Sequence, residues 1–255
     1  GLGTVFFELS EYHLSKKYFK ASLQIAISLK SDKLIATTLN HLGALENVQG
    51  NSKKAIHLYS KSIPLFQRIG DRAGLAQIYH NIGMSYGEAK RWKEANEFFG
   101  RCLTISDRMG LVPIKSIAFL NRALALAYLG RFEDAEEYNF KAQRLLHQLN
   151  DELGLAEYYK IQGIIFREKG ELNMADIEFK TAIQKYEELS NKLGRAETEY
   201  ELARLAKISG DSANENYWVK KCLKSFKEMH LFSKINSIKI EFPQIKNALV
   251  EIAEL

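Results

Sequence analysis

Apolar positions in this chain recur at spacings of three and four, as in helices that bury one face, and no stretch alternates with period two as a half-buried strand does. Leu39, Leu42, Gly43, Glu46 and Gly50 share one helical face, and Tyr79, Ile82, Gly83 and Tyr86 share another. The pattern itself repeats. In steps of 40 residues one column holds Gly3, Gly43, Gly83, Ala123, Gly163 and Ala203, and a second holds Ser10, Gly50, Lys90, Gly130, Gly170 and Gly210. These two columns take eight of the sixteen glycines, so glycine here is positional. A third column, Ser15, Ala55, Ala95, Ala135, Ala175 and Glu215, is small until its last member. A fourth, Phe19, Tyr59, Phe99, Asn139, Phe179 and Val219, is mostly aromatic.

The two glycine columns predict different roles. A glycine inside a helix costs about 1 kcal/mol relative to alanine, so its recurrence at one offset predicts close approach of a second helix, with the Ala55 column as the matching contact. Gly87 lies off that face and is expected to tolerate a side chain. The Gly50 column follows the last apolar position of a helix and reads as a left-handed C-terminal stop. Each unit is therefore predicted to be a helical hairpin, with a first helix at 34–49 and a second at 52–69 in the unit 31–70. Asp71, Asp151 and Asn191 stand ready to cap the helix that follows each hairpin.

The organisation read from these columns is a partial opening repeat over 1–30, repeats over 31–70, 71–110, 111–150, 151–190 and 191–230, and a C-terminal capping helical segment over 231–255. In that last segment Pro243 falls in the glycine column, although Leu231, Ile235, Ile238, Phe242, Ile245, Leu249 and Ile252 keep helical spacing, so the cap is expected to break near Pro243. One hairpin has too little area to fold alone, so neighbours must supply its core. The expected fold class is all-α: antiparallel hairpins stacked into a right-handed superhelix. Because Gly3 falls in the mid-helix column, some seven residues of its helix are expected upstream of Gly1, in a longer protein.

The order of small residue, aromatic three later, turn, alanine and aromatic in Gly83, Tyr86, Trp92, Ala95, Phe99 and Cys102 resembles the tetratricopeptide repeat. The usual unit of that family is about 34 residues. The longer version is similar to the repeats of kinesin light chains, Pins-type polarity adaptors and the sensor domains of Rap-type bacterial regulators. Arg122 and Gln162 stand where the family has a large apolar residue, and Glu215 replaces the alanine of the last repeat. The resemblance implies a solenoid whose first helices line a concave groove, and it implies that Asn81 and Asn121 contact a bound peptide.

Composition narrows function mainly by exclusion. With 46% hydrophobic residues and three prolines, the chain is neither collagen-like nor disordered. No run approaches the roughly 18 apolar residues of a membrane span. A formal charge of +5, from 36 basic and 31 acidic residues, is too mild to argue for nucleic acid or an anionic membrane. Cys102 and Cys222 are too few for a disulfide framework, which points to the reducing cytoplasm, and they share a column with Ser62, Ala142 and Ala182, as small core residues do. No phosphate loop, zinc-protease helix, calcium loop or nucleophile elbow occurs, so no enzyme activity, cofactor or metal site is expected. His41 and His80 both face the groove but lack a third ligand.

Function then falls to the surface of the stack. A rotation of 100° per residue places Thr37, His41, Ala44 and Val48 opposite the packed face of one first helix. The equivalents in later units are Gln77, Asn81, Met84 and Glu88; Ile117, Asn121, Leu124 and Tyr128; Glu157, Ile161, Ile164 and Glu168; and Glu197, Glu201, Arg204 and Ile208. Amides in an apolar strip can donate to and accept from an extended main chain. The candidate peptide site comprises Asn40, His41, His80 and Asn81, with Asn121 as a further rung and Met84, Ile117 and Leu124 as the apolar floor; His41, Asn81 and Asn121 share a column as a ladder. The alternative is that these amides bond neighbouring helices or water. Charges in the last two repeats, including Lys160, Arg167, Arg204 and Lys207, read as a solvated face. So do Lys220, Lys221, Lys224, Lys227, Lys234, Lys239 and Lys246, with a membrane-surface or partner helix as the alternative. The expected function is a non-catalytic protein- or peptide-binding scaffold. The alternative is a regulatory sensor that passes ligand binding to an attached domain.

Overall fold

The structure, a computed structural model, describes residues 1–9 and 11–243. Among them the chain is all-α. The helices are α1 (Leu2–Glu8), α2 (Tyr12–Ser28), α3 (Asp32–Val48), α4 (Ser52–Arg68), α5 (Arg72–Glu88), α6 (Trp92–Met109), α7 (Val112–Tyr128), α8 (Phe132–Leu149), α9 (Glu152–Lys169), α10 (Leu172–Glu188), α11 (Lys192–Ser209), α12 (Ser212–Glu228) and α13 (Phe232–Glu241). Ser10, Ile245, Lys246, Leu249 and Ile252, named in the sequence reading, lie outside the described residues.

The hairpin turns follow from the second glycine column. At the end of α3, Gly50 has φ +79°, its N–H donates to the Asn47 carbonyl at 2.9 Å, and the Asn51 N–H donates to the Glu46 carbonyl at 2.8 Å. That bonding satisfies the orphan carbonyls of the last helical turn. Lys90 takes the same left-handed conformation, at φ 56°. Helix starts are fixed by side-chain caps: Asp71 accepts from the Gly74 N–H at 2.8 Å, Asp151 from Gly154 at 2.8 Å and Asn191 from Gly194 at 2.7 Å.

The mid-helix glycines do mark close approach, but their contact is the aromatic column and not the Ala55 column. A Cβ on Gly43 would sit 2.5 Å from the Tyr59 ring, one on Gly83 2.6 Å from the Phe99 ring, and one on Gly163 2.6 Å from the Phe179 ring. The ring of the second helix lies on the glycine backbone of the first, while Ala55, Ala95, Ala135 and Ala175 are buried alongside. A further set escaped the sequence reading: Gly74, Gly154 and Gly194 give room to Phe66, Leu146 and Tyr186 of the preceding helix. Gly87 is not free either, since a Cβ there would meet the Trp92 ring at 3.3 Å.

Two compact units divide the chain, Gly1–Ala125 and Leu126–Leu255. In the first, Ala36, Ala55, Tyr59, Phe66, Ile78 and Ile82 form a core cluster, and the first helices α3 and α5 touch. In the second, α9 and α11 touch likewise, and α13 closes on a cluster of Val219, Cys222, Leu223 and Phe226 through Ile238 and Phe242. Helix α13 stops at Glu241, with Phe242 extended (φ −123°, ψ 67°) ahead of Pro243, which disfavours helical backbone in the residue before it. Asn139, the polar exception in the aromatic column, donates to Gln162 Oε1 at 2.9 Å, so two departures from the repeat pattern answer each other. Arg122, the third departure, donates to Asn96 Oδ1 at 3.0 Å. Both cysteines are buried, and burial pushes the Cys102 thiol up to about 12.

Gly83→Leu or Gly163→Leu is expected to destabilise by about 1–3 kcal/mol, because an aromatic ring occupies the space the side chain needs. Gly87→Leu should cost less, since only the rim of Trp92 must move. Thermal melts rank the three, and equal midpoints for Gly83→Leu and the parent chain would contradict the ring-on-glycine contact.

Candidate functional site

In the first unit, the unburied faces of the first helices carry the candidate residues. Asn40 comes from α3; Gln77, His80, Asn81 and Met84 from α5; Ile117, Asn121 and Leu124 from α7. Their polar groups form a chain of hydrogen bonds. Asn81 Nδ2 donates to Asn40 Oδ1 at 2.8 Å, and Gln77 Nε2 donates to Asn81 Oδ1 at 3.0 Å. Asn121 Nδ2 lies 3.0 Å from His80 Nε2 and donates to the Ile117 carbonyl at 3.1 Å.

This arrangement assigns the imidazole. With Asn121 donating to Nε2, the ring proton belongs on Nδ1, which faces Asn81 Oδ1 at 3.4 Å. Burial holds His80 below its ordinary pKa of 6.5, with the bond to Asn81 acting in the opposite sense. A neutral His80 is the form that can accept from Asn121.

The contact rule differs from the ladder expected from one column. Asn40 meets Asn81, and His80 meets Asn121, at a separation of 41 residues in each case. Adjacent first helices are thus offset by one residue beyond the repeat. The sequence carries this signal, but only the packing reveals the offset. His41, the expected first rung, instead stacks on Phe19 with centroids 5.0 Å apart and an interplanar angle of 3°, leaving Asn40 in the network. Met84 is half-buried against Ala95 and Phe99, Leu124 is half-buried, and Ile117 is 43% exposed. Among the described residues, Asn40 Nδ2 and Asn121 Oδ1 retain bonding capacity that this network does not use.

The second unit corrects the sequence reading more sharply. Ile161 and Ile164, placed on the open strip by rotation alone, are core residues. Lys160 and Arg167 are buried and Arg204 is half-buried, so these charges do not form the expected solvated face, whereas Lys207, Lys220, Lys224 and Lys239 are exposed as that expectation had it. The Arg167 side chain is 2% exposed and donates to Glu201, to Glu168 at 2.9 Å and to the Tyr128 hydroxyl at 3.3 Å. Lys160 lies 2.8 Å from Glu157 and 3.1 Å from Glu197, and Lys234 of α13 lies 3.2 Å from Glu197. Burial works against the Lys160 charge, yet Glu157 and Glu197 raise its pKa well above the ordinary value. Burial likewise opposes the Glu197 carboxylate, but Lys160 and Lys234 bring it down to about 2. Lys221 also pairs, with Glu199 at 3.2 Å.

The fold and this bonded face define an array of long-helix hairpin repeats. Residues 34–108 match the family model of the tetratricopeptide repeat. No curated protein matches it in sequence. Among solved structures, the apo form of RapI is similar with a TM-score of 0.79 and 15% identity, over 89% of this chain and 81% of that one. BtubC (BKLC) from P. vanneervenii gives a TM-score of 0.65 and 21% identity, over 86% of this chain and 92% of that one. The Rap conjugation gene regulator of the plasmid pLS20, solved with the Phr* peptide, gives 0.72 and 19%, over 84% of this chain and 60% of that one. At these identities the likeness is one of fold.

Two outcomes follow from the geometry. Because the folded pKa of His80 is depressed, its contribution to stability is complete above the unfolded value near 6.5 and declines as pH falls below that value toward the folded pKa. His80→Gln should therefore flatten the dependence of the thermal midpoint on pH between about 7 and 5; an unchanged slope would contradict a buried neutral ring. Arg167→Leu should destabilise by about 3–5 kcal/mol, because it leaves Glu201 buried without its main partner, and urea unfolding measures this.

Proposed function

We propose that this chain is a non-catalytic binding array that holds an extended protein or peptide segment along the first helices α3, α5 and α7. The carrying observation is the unused bonding capacity at the two ends of the amide network: Asn40 Nδ2 as a donor and Asn121 Oδ1 as an acceptor, beside the exposed Ile117. An extended segment needs such alternation, since its carbonyls and N–H groups point out in turn. His80 and Asn81 position these ends, Met84 and Leu124 line the floor, and His41 flanks it. Helices packed at about 8–10 Å and a peptide rise of about 3.3 Å per residue give one rung for roughly every third ligand residue. A cytoplasmic setting suits the two buried free thiols.

The same bonds support a second reading, a regulatory sensor. Asn40–Asn81 and His80–Asn121 join successive hairpins, so a ligand that competes for these amides acts on the contacts between repeats. A peptide-bound structure of similar fold is consistent with either reading.

Selection from an unbiased library of ten-residue peptides tests both. Asn40→Ala with Asn121→Ala should weaken the selected peptides about tenfold or more, each lost bond contributing roughly 0.5–1.5 kcal/mol. Asn81→Ala removes bonds internal to the network and should lower stability as well as affinity. Full affinity in the Asn40/Asn121 double variant, with loss in Lys160 or Arg204 variants, would move the site to the second unit.

A further inference from the structure

The last first-helix position of the array is filled in an unusual way. Glu241, at the end of α13, stands in the column of Asn81 and Asn121, and it meets Tyr200 of α11 at the same separation of 41 residues. Its carboxylate is read from two directions. Arg204 Nε donates to Oε1 at 2.7 Å and Arg204 Nη2 to Oε2 at 2.7 Å, a two-pronged fork, while the Tyr200 hydroxyl donates to Oε2. Lys207 Nζ donates to the main-chain carbonyl of Glu241 at 2.6 Å. The next residue, Phe242, is 1% exposed, packs edge-on to Tyr200 at 6.1 Å and lies under Lys207 at 4.8 Å.

Tyr200, Arg204 and Lys207 lie one turn apart along one face of a single helix. Together they recognise a carboxylate, the adjoining main-chain carbonyl and the aromatic ring that follows. Repeat packing does not call for this trio. Earlier repeats carry Asn40, His80, Leu120 and Lys160 in the Tyr200 column, and Ala44, Met84, Leu124 and Ile164 in the Arg204 column. A simple cap needs only the apolar anchors Ile238 and Phe242. The strap that supplies the carboxylate is short, 10 residues in α13 against 17 in α12; elsewhere it is held by Ile238 in the core and by Lys234 on Glu197 at 3.2 Å, while Phe232 and Ile240 are 62% and 82% exposed. A bidentate arginine on a carboxylate is geometrically selective as well as strong.

We propose that Tyr200, Arg204 and Lys207 form a docking site for a partner protein segment in which a glutamate is followed by an aromatic residue, and that Glu241–Phe242 fills this site in cis. The strap is then a competitor. A partner segment of the same chemistry binds when the strap lifts, and the site is independent of the amide network of the first unit.

The probe is a fluorescein-labelled peptide with the sequence of residues 232–243, measured by anisotropy against the full chain. Glu241→Lys places a like charge beside Arg204 and should release the strap. This variant is expected to bind the probe at least tenfold more tightly than the parent chain. A probe with glutamine in place of its glutamate should lose that gain, as should the addition of Arg204→Ala. Glu241→Gln, a milder release that keeps the shape of the side chain, should give an intermediate gain and guards against misfolding of the charge-reversed form. Equal affinities for the parent chain and both Glu241 variants would overturn the proposal, as would indifference to the glutamate of the probe. A concentration-dependent dimer of the parent chain that the probe dissociates would assign the site to the strap of a second copy and overturn the partner reading.

Discussion

The contact on which the rest of this structure depends is an aromatic ring laid flat on a glycine backbone. Tyr59 on Gly43, Phe99 on Gly83 and Phe179 on Gly163 set how near the two helices of a hairpin come. At that distance no side chain fits, so glycine persists there although it weakens each helix by about 1 kcal/mol relative to alanine. The ring returns this through buried apolar area and dispersion contacts. A hairpin closed in this way exposes a further apolar edge, which the next hairpin covers through Phe66 on Gly74 or Tyr186 on Gly194.

Once hairpins stack within a unit, their first helices are brought side by side, and polar groups there must find partners or remain wet. A single geometric relation, a separation of 41 residues, joins Asn40 to Asn81, His80 to Asn121 and Tyr200 to Glu241. The residue types placed on it differ between the units. Amides and a neutral imidazole in the first unit leave donors and acceptors available for a main chain. In the second, Tyr200 and Glu241 stand on it beside a buried network in which carboxylates pair with guanidinium and ammonium groups, where removing one member strands another. The first arrangement leaves polar capacity unused, and the second joins neighbouring helices through charge.

The polar departures from the repeat pattern meet the same constraint in part. Asn139 replaces an aromatic ring and bonds Gln162, which itself replaces a large apolar residue. The pairing answers the Asn139 amide N–H groups, while its Oδ1 stays buried without a hydrogen-bond partner among the described residues.

Repeat length, helix boundaries, turn positions and caps were all legible in the sequence, because they depend on local chemistry that recurs every 40 residues: left-handed glycine, Asp or Asn before a helix, and apolar spacing within it. That amides share an otherwise apolar strip in the first unit was legible too, since a helical projection displays it. What remained hidden was everything set by the offset between neighbouring helices. Column arithmetic paired His41 with Asn81, whereas packing pairs Asn40 with it and stacks His41 on Phe19. Rotation by 100° per residue exposed Ile161 and Ile164 on a helix that a neighbour covers. Charges at Lys160, Arg167 and Glu201 look the same in sequence whether solvated or buried. A sequence records which groups lie on a face, but whether that face meets water or a countercharge is decided only when the next helix is packed against it.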